Sequence, residues 1–129
     1  MSKAMEFRIT GLEEHSITVD APLAPNINIH GTAFAGSIYA LGVLTAWGLV
    51  THILHNAALD TDVVVARAEI IYRSPLTTSI TCSTACQPDE ARALLKALSA
   101  KGRGGLELSV EIGDAPHVLL HARMVVIRR

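Results

Sequence analysis

Ala33–Leu54 reads AFAGSIYALGVLTAWGLVTHIL and lies inside a longer stretch, Ala21 to Leu59, that contains no Asp, Glu, Lys or Arg. Two structures satisfy such a run. By length alone it would cross a bilayer, which takes about 20 apolar residues. Its flanks and contents argue otherwise. Asn26, Asn28 and His30 precede it, Ser37, Thr45, Thr51 and His52 lie within it, His55 follows, and no Lys or Arg anchors either end. A helix apolar on every side is equally the central helix of a water-soluble protein, wrapped by other elements in place of lipid. The segments that follow decide for the second structure, because they read as strand after strand, and no membrane partner is expected.

Val63–Arg73 is β-branched at its start and then alternates, with Val64, Ala66, Ala68, Ile70 and Tyr72 predicted on one face and Arg67, Glu69 and Arg73 on the other. Pro75 stops it, and Thr77–Gln87 resumes with Ile80, Cys82, Thr84 and Cys86 on a single face. Pro88-Asp89-Glu90 opens a brief helix to about Leu98, with acids in the first turn and Lys96 and Lys101 towards its end, as the helix dipole favours. Gly102, Gly104 and Gly105 punctuate the chain. Leu106, Leu108, Val110 and Ile112 then alternate with Glu107, Ser109 and Glu111, and Gly113–Pro116 turns this strand into His117–Arg128, a hairpin. Upstream, Phe7–Thr10 and His15–Ala21 form another short hairpin across Gly11. The order has no βαβ rhythm, so a doubly wound parallel sheet is not expected. The economical solution is an α+β domain, residues 1–129, in which an antiparallel sheet turns its apolar face to one long helix.

The chain has 129 residues, 50% hydrophobic, 18% charged and 4% aromatic, with 11 Lys+Arg against 12 Asp+Glu for a net charge of −1. One domain of this size buries roughly two-thirds of its unfolded surface, enough for a core without disulfide or metal. Near-zero charge and few rings exclude a nucleic-acid partner, which requires a basic face interleaved with stacking side chains. Cys82 and Cys86, on one strand face about 13 Å apart, are too distant to bridge and read as core thiols. Together with the absence of a leader pattern, they imply a reducing, cytoplasmic setting.

The polar groups gather where the long helix begins, at Pro25-Asn-Ile-Asn-Ile-His-Gly-Thr-Ala-Phe-Ala-Gly-Ser37. With Thr32 as N-cap, the backbone N–H groups of about Ala33 to Gly36 have no intrahelical acceptor and sit at the positive end of the macrodipole. Such amides can hold an anion or a developing oxyanion, and the small residues admit a ligand closely. Asn28 and His30 are then placed to orient or activate a water. The same residues also read as a turn at Gly31, close helix packing and a loop histidine. The helical glycines 36, 42 and 48 each cost about 1 kcal/mol relative to alanine, so packing or function must compensate.

Asn-x-x-Gly-Thr-x-Phe-x-Gly-Ser (Asn28 to Ser37), the Ala/Gly-rich helix after it and the strand ending Tyr72-Arg-Ser-Pro75 resemble the hotdog-fold thioesterases. The resemblance is nearest to the thioesterase domain that follows an acetyltransferase domain in YiiD-type proteins. It runs from about Asp20 to the end and takes in Ala21–Asn26, Gly36-Ser-Ile-Tyr39, Trp47-Gly-Leu49 and Lys101-Gly-Arg-Gly104. It implies a hotdog fold and hydrolysis of an acyl thioester of CoA or acyl carrier protein, with no cofactor and no metal. It also implies a homodimer or a tetramer built as a dimer of dimers.

In the wider superfamily the pattern is Asn-x-x-Gly-Thr-x-His-Gly-Gly, with a catalytic Asp one to two turns into the helix. The match places the Asn on Asn28 and the Gly-Thr on Gly31-Thr32. The His falls on Phe34, the oxyanion-hole Gly on Ala35, the second Gly on Gly36 and the Asp on Val43. Two side chains of the pattern are missing, but a backbone oxyanion hole survives at Ala35. The resemblance thus implies catalytic roles for Asn28, Ala35 and Gly36; with the pattern's acid missing, His30 is expected as the base that deprotonates a water held by Asn28, and a partner-subunit Glu69 is a weaker candidate. Substrate contacts fall on Asn26, Gly31, Thr32, Phe34, Ser37 and Arg73. Lys101 and Arg103, beside glycines, suit the phosphates of CoA or phosphopantetheine as well as they suit an exposed charged turn. Phe34, Tyr39, Trp47 and their neighbours favour an apolar acyl tunnel. A non-catalytic acyl-thioester-binding module that lost the acid is the competing expectation, and a hotdog hydratase, which pairs His with a carboxylate, ranks below it.

Overall fold

A computed structural model describes residues 6–22, 26, 35–76, 79–113 and 118–129. In chain order the elements are β1 (Arg8–Glu13), β2 (Ser16–Ala21), α1 (Ala35–Asn56), β3 (Thr61–Tyr72), β4 (Ile80–Ala85), α2 (Pro88–Lys101), β5 (Arg103–Ile112) and β6 (Val118–Arg128). The strands form one antiparallel sheet in the order β1-β2-β4-β5-β6-β3. This is the hotdog arrangement, an α+β fold whose sheet encloses α1.

α1 turns Ile38, Leu41, Gly42, Thr45, Ala46, Leu49, Val50, Ile53 and Leu54 to the sheet. The recurrence every three or four residues is that of one helix face. Length and composition alone would let α1 span a bilayer, but here that face is covered by protein. Its glycines have a packing reason. A Cβ on Gly42 would lie 3.2 Å from Ile112 Cδ1 and 3.4 Å from Leu120 Cδ1, and one on Gly48 would lie 3.1 Å from Ile17 Cδ1. The buried Thr45 hydroxyl donates to the Leu41 carbonyl at 2.6 Å, so a polar group in the core is satisfied within its own helix.

β5 keeps the expected alternation, burying Leu106, Leu108, Val110 and Ile112, and pairs with β6 from Arg103↔Ile127 to Ile112↔Val118. The backbone pairing of β4 with β5, by contrast, is confined to Cys82↔Ile112 and Ser83↔Glu111 among the described residues. Beyond it the Thr84 hydroxyl donates to the Ser109 carbonyl at 2.9 Å and bridges the diverging strands. α2 packs against β5 with Ala91, Leu94 and Leu98 buried. Cys82 and Cys86 are both free and buried, as expected.

Four local expectations are corrected. The first hairpin turns at Glu14–His15, and Gly11 sits inside β1 at a register shift. α2 runs to Lys101, where Gly102 at φ 74° supplies the left-handed cap and donates to the Leu98 carbonyl. Gly104 and Gly105 belong to β5: a Cβ on Gly104 would lie 3.0 Å from Leu94 Cδ1, so this glycine lets α2 close onto the strand. In β3 a bulge between Val65 and Arg67 exchanges the faces. Val63 and Val65 point inward before it and Ala68 and Ile70 after it, while Val64 and Ala66, expected inside, are exposed.

Candidate active site

The first turn of α1 is built from Ala35 and Gly36, both exposed, and the half-buried Ser37. No acidic side chain occupies that turn, so no carboxylate within it competes for the N–H groups that the helix leaves unbonded. The end of β3 reaches this turn from the sheet. Tyr72 Oη donates to the Ala35 carbonyl oxygen at 3.1 Å. Burial, then the neighbouring Tyr39, raises the Tyr72 phenol above its ordinary value, so the hydroxyl keeps its proton and remains a donor. In the sequence Tyr72 is marked only as a residue of the strand face and of the Tyr-Arg-Ser-Pro stretch; a bond to a backbone oxygen leaves no local pattern.

One turn apart beyond Ala35, Tyr39, Val43 and Trp47 form a stripe on α1 away from the buried face. Tyr39 and Trp47 are exposed, and Val43 is partly buried against the core. Asn26 is buried, and its amide donates to the Pro22 carbonyl at 2.8 Å, closing the chain just after β2. Arg73 follows Tyr72 and is exposed. Asn28, His30, Gly31, Thr32 and Phe34 lie outside the described residues.

Lys101 and Arg103 are exposed, but at the other end of the molecule. Arg103 pairs with Ile127 and Tyr72 with Val118, so the two ends are separated by about 30 Å of strand β6. Within one chain the Lys101–Arg103 turn and the Ala35–Gly36 turn do not meet.

Glu69 is placed by the β3 bulge on the face of the sheet opposite α1. It stands across from His121, whose Nδ1 is 2.8 Å from Ser109 Oγ. These residues line a shallow cavity of about 410 Å³ with Arg67, Glu107 and Arg123. Within one chain the Glu69 carboxylate therefore does not face the first turn of α1; only the partner subunit's copy could serve there.

A family profile described as "Putative thioesterase (yiiD_Cterm)" matches residues 1–122. The chain belongs to this family. Thioesterases therefore supply the frame for the site, and solved structures agree with it. A protein described as a "putative thioesterase" from Shewanella oneidensis is 30% identical; the match covers 98% of this chain and 87% of that one, with a TM-score of 0.87. A protein of unknown function from Chlorobaculum tepidum is 23% identical over 99% of this chain and 86% of its own, with a TM-score of 0.95. A probable thioesterase from Pseudomonas aeruginosa is 18% identical over 98% and 86%, with a TM-score of 0.85. In this thioesterase-family chain, Ala35 and Gly36 stand at the start of the enclosed helix with their amides unobstructed by acidic neighbours, and Val43 stands two turns further in.

Proposed function

We propose that the chain hydrolyses an acyl thioester of CoA or acyl carrier protein at the N-terminal end of α1. The observation that carries this reading is the pair of exposed small residues, Ala35 and Gly36, at the first turn of a sheet-enclosed helix in a thioesterase-family chain. The thioester carbonyl rests against their N–H groups. Asn28 holds a water, and the imidazole of His30, a side chain suited to general-base work, takes its proton as the oxygen attacks the carbonyl carbon. The resulting oxyanion is stabilised by the two amides and the helix dipole. Its collapse breaks the carbon–sulfur bond, and the thiolate leaves with the proton held on His30. The acyl group lies along Tyr39, Val43 and Trp47, an apolar path leading away from Ala35.

The site is shared in a homodimer. Two copies of β3 set side by side and antiparallel reverse the sheet between subunits, which brings the Lys101–Arg103 end of one copy towards the Ala35 end of the other. Those cations then meet the phosphates of CoA or phosphopantetheine, a contact that about 30 Å of strand forbids within one chain.

The test is release of free thiol from acyl-CoA and acyl-pantetheine series of varied chain length. His30→Ala is expected to lower turnover by about 100-fold or more, and Asn28→Ala by less. Full turnover in both variants would overturn the assignment. Val43, at the position where the resemblance expects an acid, favours a second reading as an acyl-thioester-binding module. Saturable thioester binding without thiol release would decide for it.

A further inference from the structure

We propose that Tyr72 is a positioning residue that aims and polarises the Gly36 N–H through the Ala35–Gly36 peptide unit. This rests on the reading of Gly36 as an oxyanion donor. The carbonyl of Ala35 and the N–H of Gly36 belong to one planar group and point in opposite directions. Whatever fixes the oxygen therefore fixes the hydrogen. Tyr72 Oη donates to that oxygen at 3.1 Å across 37 residues of sequence. By helical register the same oxygen faces the N–H of Tyr39 from the next turn, so two donors converge on it.

Two features make the anchor necessary. The side chains of Ala35 and Gly36 are too small to pack the first turn against anything, and the buried face of α1 begins only at Ile38. Helix ends fray where packing does not hold them. Tyr72 is well placed to prevent this, because it ends a twelve-residue strand and is held in register opposite Val118. The phenol also extends a chain of hydrogen bonds from Tyr72 O–H through Ala35 C=O and Gly36 N–H to the oxyanion. Each member of such a chain strengthens the next. The donor survives through the neutral and mildly alkaline range, since burial and Tyr39 both oppose its ionisation.

The test is Tyr72→Phe, which keeps the ring and removes the donor. Backbone resonances are compared first, without substrate. The Ala35 carbonyl ¹³C and Gly36 amide ¹⁵N and ¹H shifts are expected to move, with Leu41–Val50 unchanged. In turnover, kcat is expected to fall about fivefold with KM within twofold, the signature of an interaction that matters in the transition state. A merely structural tie would move the same resonances and change stability, but it would leave kcat unchanged. Should the variant fold poorly, the wild type supplies the same information: its Ala35 carbonyl resonance is expected to move as the phenol ionises, above about pH 10. Unmoved Ala35 and Gly36 resonances, or an unchanged kcat, would overturn the proposal. If the wild type released no thiol from any thioester, the proposed hydrolysis would fall, while the resonances would still decide what Tyr72 holds.

Discussion

The two edges of the sheet differ in length and in what they offer. β1 is six residues long, interrupted at Ile9/Gly11, and interleaves Arg8, Thr10 and Glu13 with the exposed Ile9 and Leu12. β3 is twice that length, is laddered to β6 on one side from Thr61 to Tyr72, and among the described residues has no strand on its other side, with Val64, Ile71 and Tyr72 exposed. A short, broken and charged edge discourages strand addition, and a long apolar one invites it. The difference teaches which edge would accept a second copy in the proposed homodimer, and Tyr72 is at once the last residue of that edge and the donor to Ala35.

The comparison breaks most sharply by placing a charge on each edge in turn. Ile71→Lys is expected to halve the mass measured by light scattering and to lower thiol release by about tenfold or more, since a lone chain cannot bring Lys101 and Arg103 to Ala35. Leu12→Lys is expected to leave both unchanged. Equal dissociation by the two variants would mean that the edges are equivalent.

A smaller effect distinguishes how α1 grips the two halves of the sheet. On the β3 side Gly42 faces two side chains, Ile112 and Leu120, whereas on the β1 side Gly48 faces only the tip of Ile17. Gly42→Ala is expected to destabilise by about 1 kcal/mol, the overpacking exceeding the helix-propensity gain. Gly48→Ala is expected to be neutral or slightly stabilising, because a single Cδ1 can turn aside. Urea unfolding of the pair measures the contrast.

The smallest effect lies midway between the edges. Cys82 on β4 is buried, and desolvation pushes its thiol up to about 12 despite its side-chain hydrogen bond with Thr45, which acts the other way. The folded value is raised above the unfolded one, so the contribution to stability is complete below the unfolded value and is lost as pH rises towards about 12. Alkylation at neutral pH is expected to spare Cys82 in the folded protein and to modify it in urea. Rapid labelling of the native chain would show that the sheet opens around β4.

Much of this architecture is legible in the residues. The uncharged run around Ala33–Leu54 announces an enclosed helix, and the strict alternation from Leu106 to Ile112 announces a half-covered strand. What is not legible depends on partners distant in sequence. The β3 bulge is a mismatch with β6, more than fifty residues later, so the face change at Val65/Arg67 has no local sign. Gly104 and Gly105 look like a turn until Leu94 and Ala97 of α2 are seen against the first and Arg123 of β6 against the second. At the site, the small residues at 35 and 36 are readable as a place for a ligand, but Tyr72 becomes part of it only once β3 is laid along β6. Lys101 and Arg103 are readable as anion binders, whereas their distance from Ala35 follows from strand register alone.

The position of β6 has a consequence for synthesis. It is the last strand in chain order, yet it lies inside the sheet, between β5 and β3. As the chain leaves the ribosome, β3 therefore waits from Thr61 until Arg128 for its ladder. During that interval the Val63–Val65 run is bare on both edges. Pairings this far apart in sequence form slowly and leave nascent strands open to wrong neighbours, so the β3 edge is expected to be completed only once β6 arrives.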